Sequence, residues 1–395
     1  MRGHIVKRGE NSYSVVIRRG KDTNTGKYLQ SWFTVKGTKK DAEKKLSELL
    51  HQLDNGVFMT PGKTTLAEYL EKWLKDYAFS NLSPKTAEGY ESIIRQHVIP
   101  KLGSIPLSQL KPEHIQKYYS NLLSNGRCDG KGALTPLTVR HHHMALHRAL
   151  QMAVKWGLII RNPSDAIDPP RYQRTEMHVM NEQNLHDFLE AAKSTPHYTL
   201  FYLALFTGMR RSELLALRWS DVDLLLSQLS ITRTLHRLKN GDMVFRPPKT
   251  AKGRRIVSLS PSTTLVLKRH QESQRALRLL SGIPTREDDL IFSNLDASPI
   301  HPNIVTLAWT RLANRTGLKG IRLHDARHTH ASLMLKQGIH PKIVQERLGH
   351  STIAITLDTY SHVAPGLQEA AANRFDDVLT VNANECEKRG IVKNQ

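Results

Sequence analysis

Four short segments in the C-terminal half of this 395-residue chain gather cations and histidines around one tyrosine: TGMRRSELLALRW at 207–219, PPKTAKGRR at 247–255, HDARHTHAS at 324–332 and LGHSTIAITLDTYSH at 348–362. Such a set suits a phosphate. Guanidinium groups offer fixed charge and forked donors to its oxygens, and imidazoles offer neutral donors or acceptors beside them. Thr207-Gly208 closes one helical pattern and Ser212-Glu213 opens the next. Arg210 therefore stands at a helix start, where its guanidinium and free backbone N–H groups can face one anion. His324 and Arg327 are three apart and are expected to share a helical face. By the same reading His328 and His330 point elsewhere on that helix, toward packing or capping. Leu348-Gly349 stops a helix and is expected to push the His350 imidazole out of the turn. On spacing alone Tyr360 is a core tyrosine of an amphipathic helix, and Glu213 an ion pair or cap that positions the arginines.

Other chemistries fit less well. Cutting DNA with two metal ions needs clustered carboxylates. The best pairs, Asp221 with Asp223 and Asp288 with Asp289, lie in turn-like contexts that suit capping or solvent. No GxSxG, HExxH or P-loop pattern occurs. His141, His142, His143 and His147 lie on one helix, and no neighbouring Cys, Asp or Glu completes a metal set, so a polar, phosphate-facing surface is expected of them. Cys128 and Cys386 are too few and too far apart for a disulfide framework, which fits a reducing compartment, the cytoplasm. The longest apolar run, 200–206, is far shorter than the roughly 18 residues of a spanning helix, and the start lacks an apolar signal core, so neither membrane nor export is expected. Lys and Arg number 57 against 36 Asp and Glu, leaving +21 on a chain with an ordinary 39% of apolar residues. That balance describes a folded protein with a polyanionic partner.

The elements that must hold these residues can be read from the chain's punctuation. YSVVIRRG and KYLQSWFTV flank the turn-rich KDTNTG and read as a hairpin. A helix follows, with Thr38 as cap, Asp41 three residues on, Ala42, Leu46, Leu49, Leu50 and Leu53 on one face, and Gly56 as stop. Residues 1–60 hold twelve basic against six acidic side chains, so this strand pair could dock in a DNA groove. Residues 57–64 lack periodicity and read as a linker. Thr65 with Glu68 makes a capping box before Leu66, Tyr69, Leu70, Trp73, Leu74 and Tyr77, and Ser83-Pro84, Lys111-Pro112 and Thr135-Pro136 open three further helices. These make a four-helix domain at 65–168, ended by the proline-rich 161–171. Residues 174–380 continue with helices at 184–193 and 198–206, a strand pair at 228–234 and 254–259, and more helices. Residues 381–395 read as a flexible tail. The expected fold class is multidomain α+β: a small N-terminal three-stranded sheet plus helix at 1–56, an α-helical bundle, and a mostly α domain with a small β-sheet.

In chain order the charged set resembles the tyrosine recombinases, the phage integrase family, whose motif runs Arg, Lys, His-x-x-Arg, His, Tyr. The match spans about residues 175–365, and the N-terminal unit is similar to the arm-site-binding domain of integrases of temperate phages and of conjugative transposons of Gram-positive bacteria. It implies that Arg210, Lys249, His324, Arg327, His350 and Tyr360 are catalytic, with Tyr360 the nucleophile and His324 the acceptor of its proton. It implies cutting and rejoining of double-stranded DNA through a 3′-phosphotyrosyl intermediate, with no metal, ATP or other cofactor, to integrate and excise a mobile element. It further implies a homotetramer on attachment sites, with 65–168 binding core sites, 1–56 binding arm sites, and an accessory protein directing excision. Two departures stand out. Arg210 and Lys249 are 39 residues apart, so the hairpin between them carries an insertion and Lys252 stays a rival general acid. His350 and Tyr360 are 10 apart, and no other tyrosine follows His350. Two other readings stay open: a DNA-binding regulator or architectural protein that keeps this fold without cleaving, and a chromosome dimer resolvase or type IB topoisomerase-like activity. The N-terminal unit argues against the resolvase, and the regulator would be marked by a lost nucleophile or arginine.

Overall fold

β-Branched and aromatic runs build an antiparallel sheet at the N-terminus, β1 (Gly3–Gly9), β2 (Ser12–Lys21) and β3 (Tyr28–Lys36), in the order β1-β2-β3. The computed structural model describes residues 3–21, 28–54, 63–173 and 177–360, in two compact units, Met1–Arg174 and Thr175–Gln395. The expected hairpin is the β2–β3 pair, and β1 adds the third strand, registered through Ile5↔Val15 and Val15↔Phe33. Side chains alternate along a strand, so Val15 and Ile17 meet Ala42 and Leu49 of α1 (Lys39–Asp54) on one face. On the other face Arg8 lies over the exposed Trp32 ring, 5.3 Å from its centroid. Thr38 caps α1: its N–H and hydroxyl donate to the Asp41 carboxylate at 2.8 and 2.7 Å. Gly56, most of the 57–64 linker and everything beyond Tyr360, the 381–395 tail included, lie outside the described residues.

The helical bundle follows. Thr65 and Glu68 exchange hydrogen bonds at 2.8 and 3.3 Å to start α2 (Leu66–Trp73). A π turn at Leu74–Ala78 carries it into α3 (Phe79–Asn81). α4 (Pro84–Ile93) passes through a second π turn, Ile94–Val98, into α5 (Ile99–Leu102). α6 (Pro112–Asn125) and α7 (Pro136–Lys155) complete the bundle, and α4, α6 and α7 all open on proline, as the sequence expects. Leu70, Trp73, Ile115, Leu146 and Leu150 share one core. His142 of α7 corrects the sequence reading. His142 is buried with Nδ1 2.8 Å from the Tyr118 hydroxyl, His143 Nδ1 lies 3.1 Å from that of Tyr119, and His147 Nε2 lies 2.8 Å from Asp165. Burial pushes His142 down to about 4, so it stays neutral. His142 is thus part of the bundle core, while His143 and His147 are half-buried and His141 is exposed.

In the second unit, α8 (Glu182–Ala192) and α9 (Tyr198–Thr207) come first. α9 is apolar all round and is the central helix, with Phe201 set edge-on to Trp309 at 5.2 Å. α10 (Arg211–Leu214) leads to β4 (Val222–Asp223), β5 (Gln228–Ile231), β6 (Thr234–Arg237), β7 (Met243–Arg246) and β8 (Arg255–Ser258). The expected strand pair is β5 with β8, from Gln228↔Ser258 to Ile231↔Arg255, with β4 on the outer edge of β5. β6 and β7 form a separate ribbon between β5 and β8 in sequence, which accounts for the long Arg210–Lys249 interval. α11 (Pro261–Leu280), α12 (Pro302–Arg315), α13 (Asp325–Lys336), α14 (Pro341–Leu348) and α15 (Ile353–Tyr360) complete the unit. The acidic pairs serve structure: Asp221 accepts the Arg218 N–H at 2.9 Å and pairs with Arg233, while Asp288 and Asp289 hold Arg218 and Arg278. Among the described residues no helix is long and apolar enough to cross a membrane.

Candidate active site

α9 ends on Gly208, whose φ of +64° is the left-handed conformation that favours glycine at a helix end. A Cβ there would stand 2.7 Å from Leu348 and 2.9 Å from His330. The reversal turns the Gly208 carbonyl toward α13, where Arg327 Nη1 donates to it at 2.9 Å, and Arg327 Nη2 donates to the Leu348 carbonyl at 2.7 Å. One buried guanidinium thus ties the end of α9 to the end of α14. Burial, followed by the neighbouring Arg210, weakens the hold of Arg327 on its proton. A guanidinium keeps its charge all the same, and an incoming anion would relieve its repulsion with Arg210.

Arg210 starts α10. Its backbone N–H donates to Glu213 Oε2 at 3.0 Å and its Nη1 to Oε1 at 2.7 Å, leaving the rest of the side chain facing the cavity. Glu213 is 1% exposed and also receives Arg255 of β8 at 3.0 and 3.3 Å. Burial alone would raise this carboxyl, but Arg255 and then Arg210 outweigh it and hold it below its usual range. Glu213 is therefore the ion-pair brace that the sequence suggests, and Arg255 is a second cation that sequence reasoning left without a role.

His324 precedes α13 and His328 lies one turn further on, their rings edge to face at 5.0 Å. His328 Nδ1 is 2.9 Å from the Tyr360 hydroxyl at the end of α15. This corrects the expectation that His328 points away: it lines the same cavity as His324. His330 does pack as expected, its Nδ1 on the Leu205 carbonyl at 2.9 Å and its Nε2 accepting from Arg347 at 3.0 Å. Gly349, φ +70°, ends α14, but His350 turns inward and is only 9% exposed, with Nδ1 2.8 Å from Thr356 Oγ1. Gln345 Nε2 clamps the His350 carbonyl at 2.6 Å, a contact that no sequence signal announces. The His350 ring lies nearly parallel to that of Tyr360, 6.5 Å away.

Burial first, and then neighbouring charge, sets the protonation states. His328 is held down to about 4 and His350 to about 3, so both are neutral at pH 7. Tyr360, 1% exposed, is pushed up to about 12 by burial, while Arg327 and Arg210 pull the other way. Lys249 is exposed on the loop between β7 and β8, whereas Lys252 Nζ donates to the Ser351 carbonyl at 2.8 Å. A single cavity of about 540 Å³ is lined by Arg210, Lys249, His324, Arg327, His350 and Tyr360, together with Glu213 and His328. Chemically it offers two guanidinium groups and an ammonium to an anion, beside a hydroxyl with a neutral imidazole on it.

The family model described as the phage integrase family matches residues 178–366, and that of the phage integrase N-terminal SAM-like domain matches residues 65–123. A tyrosine recombinase XerC-like protein of Caldanaerobacter subterraneus subsp. tengcongensis is 28% identical over 394 residues, 95% of this chain and 98% of that one. The Tn1549 transposon integrase in complex with a circular intermediate DNA has the same fold, with a TM-score of 0.66 and 21% identity over 80% of this chain and 99% of that one. So does the lambda integrase tetramer bound to a Holliday junction, with a TM-score of 0.56 and 19% identity over 90% and 94%. Two family models on successive parts of the chain, and a relative matching it almost end to end, establish that the protein belongs to the phage integrase family, the site-specific tyrosine recombinases.

Proposed function

We propose that this recombinase cuts and rejoins double-stranded DNA with Tyr360 as nucleophile. The observation that carries the reading is the convergence of Arg210, Arg327, Lys249 and Tyr360 on one cavity. The Tyr360 oxygen attacks the scissile phosphorus, the bond to the 5′ oxygen breaks, and a 3′-phosphotyrosyl link and a 5′-hydroxyl result. Arg210 and Arg327 hold the non-bridging oxygens, each contributing roughly 3 to 4 kcal/mol of transition-state stabilisation, the scale of one oxyanion-hole donor. Lys249, on its exposed loop, protonates the leaving oxygen as general acid. His324 and His350 hydrogen-bond the phosphate. Attack by a 5′-hydroxyl from a partner strand reverses the step. A phosphodiester is exchanged for a phosphotyrosine of similar energy, so joining draws on no ATP.

The same reading assigns residues 174–380 to catalysis, 65–168 to core sites and 1–56 to arm sites. The whole assembles as a homotetramer on attachment sites to integrate and, with an accessory protein, excise a mobile element in the bacterial cytoplasm. The excess of basic residues, the DNA-bound Tn1549 integrase and the lambda tetramer on a Holliday junction support it. The test is to mix the protein, in EDTA, with nicked suicide duplexes drawn from the DNA flanking its own gene. A covalent adduct on the 3′ side, absent in Tyr360→Phe while DNA binding is kept, is expected. Tight binding without any adduct would favour the non-cleaving regulator.

A further inference from the structure

The hydroxyl of Tyr360 must lose a proton as its oxygen bonds to phosphorus, and the geometry places an acceptor on it. His328 Nδ1 lies 2.9 Å from that oxygen, within the distance a general base needs. His324, one turn earlier, meets His328 edge-on, ring centroids 5.0 Å apart, and lines the cavity beside Arg327, where the phosphate is to bind. We propose that His328, rather than His324, takes the proton of Tyr360 during cleavage and returns it during joining. This deepens the preceding proposal and rests on its reading of Tyr360 as nucleophile.

The step balances. The Tyr360 oxygen–phosphorus bond forms as the bond to the 5′ oxygen breaks. The phenolic proton passes to His328 Nδ1, and the ammonium proton of Lys249 passes to the 5′ oxygen. On joining, the attacking 5′-hydroxyl gives its proton to Lys249 and the departing tyrosine oxygen regains its own from His328. Two features equip His328 for this. It is neutral before the reaction because burial disfavours its charged form, and in the tautomer with its proton on Nε2 the Nδ1 lone pair accepts from the hydroxyl. And Asp325, fully buried and three residues earlier on α13, favours the imidazolium once it forms, against His324, Arg327 and Arg322, which oppose it.

The experiment uses the full chain and single-turnover adduct formation on the suicide duplex. His328→Ala is expected to slow adduct formation on the order of 10²- to 10³-fold with DNA binding unchanged, the scale of a lost general base. His328→Gln, which keeps a polar group in the half-buried site, guards against a loss caused by misfolding and is expected to be slow as well. Fluorotyrosine at position 360, a more acidic phenol, is expected to restore most of the rate in either variant, whereas a 5′-bridging phosphorothiolate, which eases only the leaving group, is not. Wild-type rates in both variants, or a slow rate that fluorotyrosine leaves unrelieved, would overturn the assignment of His328 alone. An adduct that persists in Tyr360→Phe, or is missing from the wild type, would instead sink the reading of Tyr360 beneath it.

Discussion

Lys249 and Lys252 are three residues apart and carry the same ammonium, yet the fold separates their work. Lys252 is spent on the Ser351 carbonyl, where it ties the β7–β8 loop to the corner after α14, while Lys249 faces the cavity. Lys249→Ala is therefore expected to slow cleavage about 10²- to 10⁴-fold, the range of a lost general acid, and a 5′-bridging phosphorothiolate should return most of that rate. Lys252→Ala should leave a smaller loss that the better leaving group does not repair; the reverse pattern would move the general acid to Lys252. Residue type drew attention to the charged segments, but on spacing alone Tyr360 read as a core tyrosine, and it was the resemblance to an ordered family motif that joined it and Lys249 to the set. Direction was harder to read. On a helix with 3.6 residues per turn, position i+4 is offset by about 40° and position i+3 by about 60° the other way. His328 thus lies nearer the His324 direction than Arg327 does, and assigning it elsewhere on the wheel misjudged that small difference. His142 of α7 was misplaced for another reason: polar type suggested a surface, but Tyr118 of α6 meets it inside the bundle, a pairing across 24 residues that local pattern does not hold.

At the scale of elements, the site depends on how helices end. Gly349 lets α14 stop in a left-handed turn and sends His350 inward, and its missing side chain leaves room for two close neighbours. A Cβ there would come 2.9 Å from the Lys252 carbonyl and 2.9 Å from Arg255 Nη1. Since the first is backbone, Gly349→Ala has to shift the corner itself. The cost of the forced conformation is about 1 to 3 kcal/mol, and the displaced His350 and Arg255 should lower the cleavage rate more than DNA affinity. A thermal melt together with single-turnover cleavage checks this; an unchanged melt and rate would mean the corner is softer than its contacts imply. Helix starts were plain in the sequence because Thr65, Ser83 and Thr135 cap with their own side chains and proline marks the first turn. The π turns at Leu74–Ala78 and Ile94–Val98 were not, since each slips the apolar phase inside a helix without any punctuating residue. The β6–β7 ribbon showed only as an overlong interval, whose shape comes from the Thr234↔Arg246 pairing.

For the whole molecule, the proposed mechanism has the charge of +21 and the arginines of the cavity act on the same polyanion at different ranges. Charges on the outer surface exchange condensed counterions for DNA phosphates, so each phosphate neutralised adds about −0.9 to the slope of log affinity against log salt. A protein that covers on the order of six to ten phosphates should therefore lose about 10³- to 10⁵-fold in affinity between roughly 50 and 200 mM salt. Arg327 is different: it is buried, bonded to the Gly208 and Leu348 carbonyls, and shielded from the ions that screen exposed charge over a Debye length of about 10 Å. On the proposed mechanism, the phosphate of a seated duplex meets this group where salt has little access. Adduct formation from preassembled complexes should consequently change by less than about tenfold across the range in which binding collapses. Titrating salt before and after assembly on the suicide duplex separates the two. If the chemical step fell as steeply as the affinity, Arg327 would have to be open to bulk ions in the complex, and the buried contacts that hold it here would have to break when DNA binds.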